Sequence, residues 1–225
     1  MIGNEKKIIL FLGLPGSGKT TQSVRLGDAF DFLHLTTSRI IRDKFRNIPL
    51  GIDPKIDGER RKYDEGKILD PELVALWVNE AMKHFYPITN GIILDGSPRS
   101  QEEAERLMPT LLGLYGEENI RAIHLKVTPE TAFLRSSARL ICVSCEKSYP
   151  QNLEISNQRC GDNSCQGVLT RKLLDKPEIF EERVRLFDKT TRPAINFFAS
   201  KNLLCEVNGE GEVAEVFRNI IILLK

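Results

Sequence analysis

A glycine-rich segment near the start of the chain, Gly13-Leu14-Pro15-Gly16-Ser17-Gly18-Lys19-Thr20, has the spacing GxxxxGK[ST]. It follows an apolar run with strand character at 7–12 and precedes a helical pattern that begins at Lys19. Glycines let such a turn point its backbone N–H groups at one place, while the helix N-terminus and the lysine add positive charge. This arrangement binds phosphate groups, and the hydroxyl of Thr20 or Thr21 can hold the accompanying Mg²⁺.

A candidate metal-binding carboxylate lies further along the chain. Gly91-Ile92-Ile93-Leu94 predicts a buried strand, and Asp95 comes directly after it. From the carboxyl end of a parallel strand beside a phosphate loop, a carboxylate can reach Mg²⁺ directly or through water. An aspartate in this place can also cap a helix, and the phosphate loop is what favours the metal role.

The chain has five cysteines, and four of them are grouped as Cys142, Cys145, Cys160 and Cys165. A CxxC pair, fourteen intervening residues and a CxxxxC pair place four thiolates on two turns, which suits tetrahedral Zn²⁺. Four protein ligands leave no position for water, so we predict a structural zinc, with Asp162 as a substitute ligand. Two disulfides are the alternative, which a reducing compartment disfavours. Cys205 stands apart and is predicted to be a buried small side chain.

Short apolar runs alternate with stretches of helical period. The predicted strands are 7–12, 32–35, 91–94, 121–127 and 203–207. The predicted helices are 19–30, 71–85, 101–114, 130–140, 178–199 and 212–224. This alternation predicts an α/β fold, a doubly wound core with a five-stranded parallel sheet. Two insertions interrupt it, a polar helical one at 36–69 and a cysteine-bearing one at 139–171.

The charge balance bears on partners and location. The 225 residues include 32 basic and 31 acidic side chains, so any affinity for phosphate must be local, and we expect neither a nucleic-acid nor a membrane partner. The apolar run at 8–12 is too short to span a membrane and leads into glycines rather than a signal cleavage site. We therefore expect a cytoplasmic protein with one sizeable core.

Four motifs together resemble those of the adenylate kinase family of nucleoside monophosphate kinases, and the resemblance covers nearly the whole chain. GLPGSGKTT at 13–21 is similar to the family's GxPGxGKGT, and HLTTSRIIR at 34–42 is similar to HISTGDMLR. DGSPR at 95–99 is similar to DGFPR, and GKIL at 66–69 is similar to GKLV. This chain departs from the motifs at Thr20, Ser38, Arg39 and Ser97.

The resemblance implies residues for both substrates. Those implied for the acceptor monophosphate are Thr37, Arg42, Lys67, Ile68, Leu69, Gly96 and Arg99. Arg135 and Arg139 resemble the RxxxR that precedes the family's zinc-bearing lid and contacts ATP, and their spacing predicts one helical face. Arg171 and Arg183 resemble arginines that close on the donor and acceptor phosphates, with Lys172 as an alternative to Arg171.

The reaction implied by the resemblance is reversible transfer of the ATP γ-phosphate to a nucleoside monophosphate, most directly AMP, with Mg²⁺ accompanying ATP. The residues implied in catalysis are Lys19, Asp95, Arg139, Arg171 and Arg183. Phosphoryl transfer depends on position and charge rather than on a protein nucleophile, so we expect the histidines His34, His84 and His124 to be structural.

The same resemblance implies three units in a monomer. A phosphate-binding core comprises 1–35, 70–138 and 172–225, an acceptor-binding insertion comprises 36–69, and a zinc-bearing lid comprises 139–171. Closure of the two insertions over the nucleotides would exclude water and prevent hydrolysis of ATP.

One position alters the chemistry expected at the acceptor base. Glu103 stands where the family has the glutamine that reads adenine. A glutamine amide both donates and accepts, whereas an ionised glutamate only accepts, which suits the two adjacent donors of guanine. The acceptor hypotheses are thus AMP, GMP or a pyrimidine monophosphate, and Gln101 replaces Glu103 if the helix register differs. A nucleotide-binding protein with weak catalysis is the third class, suggested by the departures from the motifs.

Overall fold

The computed structural model describes residues 6–145, 148–150, 159–161, 164–171 and 175–224. Its strands are β1 (Lys7–Leu12), β2 (Leu33–Thr36), β3 (Gly91–Asp95), β4 (Ile120–Lys126), β5 (Arg139–Cys142), β6 (Ser148–Pro150), β7 (Leu169–Thr170) and β8 (Leu204–Asn208). Five of them form a parallel sheet in the order β2-β3-β1-β4-β8. The carboxyl ends of these strands therefore meet at one edge, where ligands bind in open α/β sheets.

The helices are α1 (Lys19–Phe30), α2 (Thr37–Asn47), α3 (Pro54–Asp64), α4 (Pro71–Phe85), α5 (Gln101–Tyr115), α6 (Pro129–Ser137), α7 (Pro177–Leu186), α8 (Arg192–Ser200) and α9 (Val213–Leu223). Three of them begin with a capping oxygen followed by proline, at Asp53, Asp70 and Thr128. The side chain accepts a backbone N–H and the proline needs no partner for the missing one. Within the described residues, no helix is both long and apolar enough to cross a membrane.

Alternate residues of the central strand β1 belong to two different hydrophobic cores. Ile8, Leu10 and Leu12 belong to a core that includes side chains of α4, α5 and α8. Ile9 and Phe11 belong to a second core with side chains of α1 and α9. Helices thus cover both faces of the sheet, which explains why β1 reads as a continuous apolar run. The predicted α/β fold with a five-stranded parallel sheet is confirmed, and the predicted strand ends differ by one residue.

Two predicted helices have different bounds in the structure. The helix predicted at 130–140 ends at Ser137, because Arg139–Cys142 pairs as β5 with β6 and β7 in a separate antiparallel sheet. The helix predicted at 178–199 is divided into α7 and α8 by a π-helical turn at Phe187–Thr191. Pro193 lacks an N–H and its ring crowds the carbonyl four residues earlier, so the helix widens just before it.

The polar segment between β2 and α4 folds as α2 and α3 and packs on the core through aromatic side chains. Phe45 of α2 and Trp77 of α4 are 6% and 4% exposed, and their ring centroids lie 5.5 Å apart at 90°. An edge-to-face pair of this kind adds to the free energy gained by burying both rings. Trp77 is therefore a core residue.

Truncation of Phe45 should weaken the packing of α2 against α4. We expect Phe45→Ala to lower the free energy of unfolding by about 3–5 kcal/mol, the usual cost of deleting a buried aromatic ring. The measurement is denaturant unfolding followed by the fluorescence of Trp77, the single tryptophan. Ile52→Ala, at a side chain that is 72% exposed, is the matched control and should change stability by less than about 0.5 kcal/mol. Equal unfolding midpoints for Phe45→Ala and the control would contradict this account.

Candidate active site

The glycine-rich turn joins β1 to α1 and needs its glycines for backbone shape. Gly13, Gly16 and Gly18 have φ values of 146°, 87° and 96°, in the region that side chains disfavour. A Cβ on Gly16 would also lie 2.1 Å from the carbonyl oxygen of Ala132 in α6. The turn is thus held against α6, and Gly18 leads into the N-terminus of α1, where anions bind.

Lys19 lies inside this turn. Its Nζ donates hydrogen bonds to the carbonyl oxygens of Gly13 and Leu14, both at 2.8 Å. Burial lowers the pKa of Lys19 to about 8, and the carboxylate of Asp95 opposes this shift. Three arginine charges lower it further, those of Arg99, Arg183 and Arg139. The phosphate-loop ammonium and these guanidinium groups therefore share one region of positive charge.

Asp95, at the end of β3, is joined to the phosphate loop by Thr20. The Thr20 hydroxyl donates to its Oδ2 at 2.6 Å, and the Nε2 of His34 lies 3.5 Å from the same oxygen. Burial alone would raise the pKa of Asp95, but the nearby imidazole of His34, the charge of Lys19 and the hydrogen bond from Thr20 hold it below its usual value. A carboxylate beside a hydroxyl at the loop suits Mg²⁺. Thr21 is exposed on α1.

The contact of His34 with Asp95 was not predicted, since the sequence analysis assigned His34 a structural role. The available signal was its position on β2, which is adjacent to β3 in the sheet.

A cleft opens from the loop toward the segment that follows α3, α7 and the π-helical turn. Its lining residues are Phe11, Leu12, Gly13, Pro15, Lys19, Gly66, Ile68, Gly96, Pro98, Arg99, Arg183, Leu186, Phe187, Thr190 and Thr191. Among the predicted acceptor residues, Leu69 is buried and Lys67 is exposed, with its Nζ 2.6 Å from a carboxylate oxygen of Glu65. The cleft therefore brings Gly66 and Ile68 together with Arg99 in its lining, and Lys67 is not part of that lining.

The acceptor side of the site contains a tyrosine that the sequence analysis missed. Burial raises the pKa of Tyr63, while the charges of Arg42 and Arg99 oppose the rise. Its hydroxyl donates to the carbonyl oxygen of Ser38 at 3.4 Å. Thr37 is also part of this side, because its hydroxyl donates to the carbonyl oxygen of Asp95 at 3.2 Å.

Arg139 and Arg183 are joined by Asp175. Nε and Nη2 of Arg139 donate to the two oxygens of this buried carboxylate at 2.7 and 2.8 Å, and Nη1 of Arg183 lies 3.4 Å away. Burial lowers the pKa of Arg183 to about 10, and the charge of Arg99 adds to this effect. The sequence analysis assigned no role to Asp175. The available signal was that an acidic residue stands between Arg171 and α7.

The prediction that Arg135 and Arg139 share one helical face is wrong. The side chain of Arg135, on α6, donates to the carbonyl oxygen of Gly209 at 2.8 Å, whereas Arg139 lies on β5 and contacts Asp175. The helix ends between them because the β5 ladder begins at Arg139. Arg171 lies on the surface, and Lys172 and Asp162 fall outside the described residues.

Glu103 does not line the cleft. It is 3% exposed near the start of α5, and both of its carboxylate oxygens accept hydrogen bonds from the preceding loop. Oε1 accepts from the hydroxyl of Ser97, and Oε2 accepts from the backbone N–H of Arg99 at 2.8 Å. The predicted contact of this carboxylate with the acceptor base would require it to leave these two donors. Gln101, the alternative, is exposed and bonds to Glu105 at 2.8 Å.

The four clustered cysteines meet at one point beside β5. Their sulfur atoms all lie within 4.8 Å of one another, with Cys142 to Cys165 at 3.6 Å and Cys145 to Cys160 at 3.5 Å. Sulfur atoms this far apart are not joined by disulfide bonds. Their separations are close to the S···S distance of about 3.8 Å between two thiolates that each lie about 2.3 Å from a tetrahedral Zn²⁺. Backbone N–H groups of Cys145 and Ser144 lower the pKa of the Cys142 thiol to about 6, which favours the thiolate that a metal needs.

Comparison with known proteins agrees with this geometry. A family model described as "Adenylate kinase" matches residues 11–203. An adenylate kinase of Dehalococcoides mccartyi (strain CBDB1) is 32% identical over 220 residues, which are 96% of this chain and 97% of that protein. Adenylate kinases of Lachnoclostridium phytofermentans and Clostridium botulinum (strain Hall) are 32% and 31% identical, with the same coverage of both chains. The matched region includes the phosphate loop, the cleft and the cysteine cluster, and this chain therefore belongs to the adenylate kinase family.

Proposed function

We propose that this protein catalyses the reversible transfer of the γ-phosphate of ATP to AMP, giving two molecules of ADP. One observation carries the proposal: Lys19 of the phosphate loop, Arg99 and Arg183 line one cleft, and Asp175 joins Arg139 to Arg183. A protein that merely held ATP would need the loop alone. A second set of cations beside it suits a second phosphate, the acceptor. The relatives' name supports AMP as that acceptor.

In this mechanism the loop and the arginines position the two phosphates and stabilise the charge of the transferring group. Lys19 leaves its carbonyl partners to bind the β- and γ-phosphates, and Arg99 with Arg42 binds the acceptor phosphate. Thr20 and Asp95 would hold the Mg²⁺ that accompanies ATP, which neutralises phosphate charge when bound. The acceptor oxygen attacks directly, so no protein base is required. Arg139 and Arg183 stabilise the transition state by their charge.

For the remaining predicted residues we propose the roles that their positions in the structure allow. Arg135, held at the loop after β8, would contact ATP, while Thr37, Gly96, Ile68 and Leu69 would shape the acceptor site. Arg171 and Lys67, on the surface, could contribute only after the cleft closes. We propose the core, acceptor insertion and lid with the bounds predicted above, acting as a cytoplasmic monomer.

For the cysteine cluster we propose one structural Zn²⁺ bound by Cys142, Cys145, Cys160 and Cys165. The ligands join β5 to the turns that follow β6 and precede β7, a region with few buried apolar side chains among those described. A metal can replace the stabilisation that a hydrophobic core would give so small a unit.

A panel of acceptors tests the proposed reaction. With ATP and Mg²⁺, we expect AMP to be phosphorylated at a higher kcat/KM than GMP, CMP or UMP. Lys19→Ala, which removes the phosphate-loop charge, should lower turnover by about 100-fold or more and so exclude a contaminating kinase. Faster turnover of another monophosphate would assign a different acceptor, and no product from any of them would indicate a binding protein.

The pKa of Lys19 predicts a pH dependence of ATP use. Because Lys19 is protonated below its pKa of about 8, kcat/KM for ATP should be constant at neutral pH and fall as the pH rises through 8. Lys19→Arg keeps its charge over this range, so its lower kcat/KM should not show this fall. The two profiles, measured from pH 6.5 to 9.5, check the assignment. A parallel decline in the variant would mean that another group titrates.

Removal of zinc should destabilise the protein. We expect one zinc per chain by elemental analysis, and a chelator should lower the melting temperature by about 5 °C or more, since each lost kcal/mol corresponds to about 2–4 °C at this size. Cys142→Ser should lower both zinc content and melting temperature. Cys205→Ser, outside the cluster, is the control and should change neither. A zinc-free protein with an unchanged melting temperature would refute the site.

A further inference from the structure

Glu103 has a buried carboxylate that the proposed mechanism does not use. It lies beneath the loop of Gly96 to Arg99, which carries the acceptor-side arginine. Its two oxygens accept from the Ser97 hydroxyl and from the Arg99 backbone N–H. Burial raises the pKa of Glu103, and these two hydrogen bonds oppose the rise. A buried carboxylate is costly unless donors satisfy it, so both bonds are needed to keep it there.

The same arginine is fixed by two further contacts. The hydroxyl of Thr191, in the π-helical turn, donates to the carbonyl oxygen of Arg99 at 3.0 Å. The Nε of Arg99 donates to the carbonyl oxygen of Gly96 at 3.0 Å. The backbone of Arg99 is thus held on both sides, by Glu103 at the N–H and by Thr191 at the carbonyl. The guanidinium end extends into the cleft described above.

We propose that Ser97 and Glu103 form a buried brace that positions Arg99 for the acceptor phosphate, and that the side chain at position 103 does not read the acceptor base. This proposal rests on the proposed function and adds positioning residues to it. In the family motifs these two positions are Phe and Gln, so this chain replaces a ring and an amide by a hydroxyl and a carboxylate that bind each other. The carboxylate is buried, accepts hydrogen bonds from the loop through both oxygens and is not among the residues that line the cleft, so it faces the loop rather than a base.

The brace and a base-reading role predict different effects on substrates. A brace acts on the acceptor phosphate, which all monophosphates share, so its loss should weaken every acceptor equally. A base-reading side chain would change the ratio of kcat/KM between AMP and GMP. The KM for ATP should be nearly unaffected by loss of the brace, because the proposed function assigns ATP to the phosphate loop and Arg99 to the acceptor phosphate.

The experiment uses the full-length protein and four variants. Glu103→Ala and Ser97→Ala should raise the KM for AMP about tenfold, as expected for a lost hydrogen bond to a charged group. The KM for ATP and the AMP-to-GMP ratio should stay within about twofold of wild type. Glu103→Gln should restore AMP affinity, since its amide oxygen can accept from the Arg99 N–H while the Ser97 hydroxyl turns to accept from the amide. Glu102→Ala is the matched exposed control and should change nothing.

Several outcomes would overturn the brace. A change of the AMP-to-GMP ratio in Glu103→Gln would show that position 103 reads the base. Unchanged KM for AMP in both Glu103→Ala and Ser97→Ala would show that Arg99 needs no brace. If Glu103→Ala does not fold by circular dichroism, Ser97→Ala and Glu103→Gln still decide between the two models.

Calorimetric titration of AMP without ATP separates this proposal from the proposed function. A wild-type protein that binds AMP but forms no ADP would refute the reaction, while the dissociation constants of the variants would still test the brace. Wild-type protein that binds neither AMP nor GMP would refute both.

Discussion

The site concentrates positive charges that repel one another, and the surrounding structure holds them in place. Burial removes the water that would screen Lys19 from the three arginines whose charges lower its pKa. Two carboxylates oppose this repulsion, Asp95 near Lys19 and Asp175 between Arg139 and Arg183. The remaining positive charge matches a phosphate ligand. The arrangement is therefore costly for the empty protein and favourable once nucleotides bind, as perturbed pKa values at functional sites generally indicate.

The scaffold makes this possible by bringing loops to one edge of the parallel sheet. The turn after β1 is held against α6 at Gly16, where even a methyl group would meet a carbonyl oxygen. The loop after β3 is held from three directions, by Glu103, by Thr191 and by the side chain of Arg99 itself. Two of these contacts fix the backbone of Arg99, and the third orients its guanidinium through Nε, which leaves the two terminal nitrogens to meet a phosphate. Position and charge together are what phosphoryl transfer requires.

The sequence predicted those parts of this arrangement that depend on local patterns. Buried parallel strands give continuous apolar runs, so β1 and β3 were identified to within a residue, and the phosphate turn has a spacing that follows from its own geometry. The partners of Arg139 could not be predicted in this way. A strand of four residues in a small antiparallel sheet has no distinct period, and the extension of the preceding helix to residue 140 was the simpler interpretation. Asp175 pairs with Arg139 across 36 residues of chain, a separation at which no spacing rule applies.

Glu103 illustrates why a residue's role cannot be transferred by position alone. Taken alone, the replacement of the family's glutamine by Glu103 suggests that the protein binds a base other than adenine. The structure joins it to a second substitution six residues earlier, because the hydroxyl of Ser97 supplies a donor that a phenylalanine ring would lack. The two substitutions compensate each other, because the Ser97 hydroxyl donates to the Glu103 carboxylate. On our proposal, this carboxylate holds the loop and does not contact the ligand. On this proposal, recognition of the acceptor base would fall to other residues that line the cleft, among which Gly66 and Ile68 offer backbone groups and an apolar surface. Discrimination among bases in this protein would thus depend on the shape of that lining and on how closely it approaches Arg99, both of which are properties of the fold rather than of any single polar side chain.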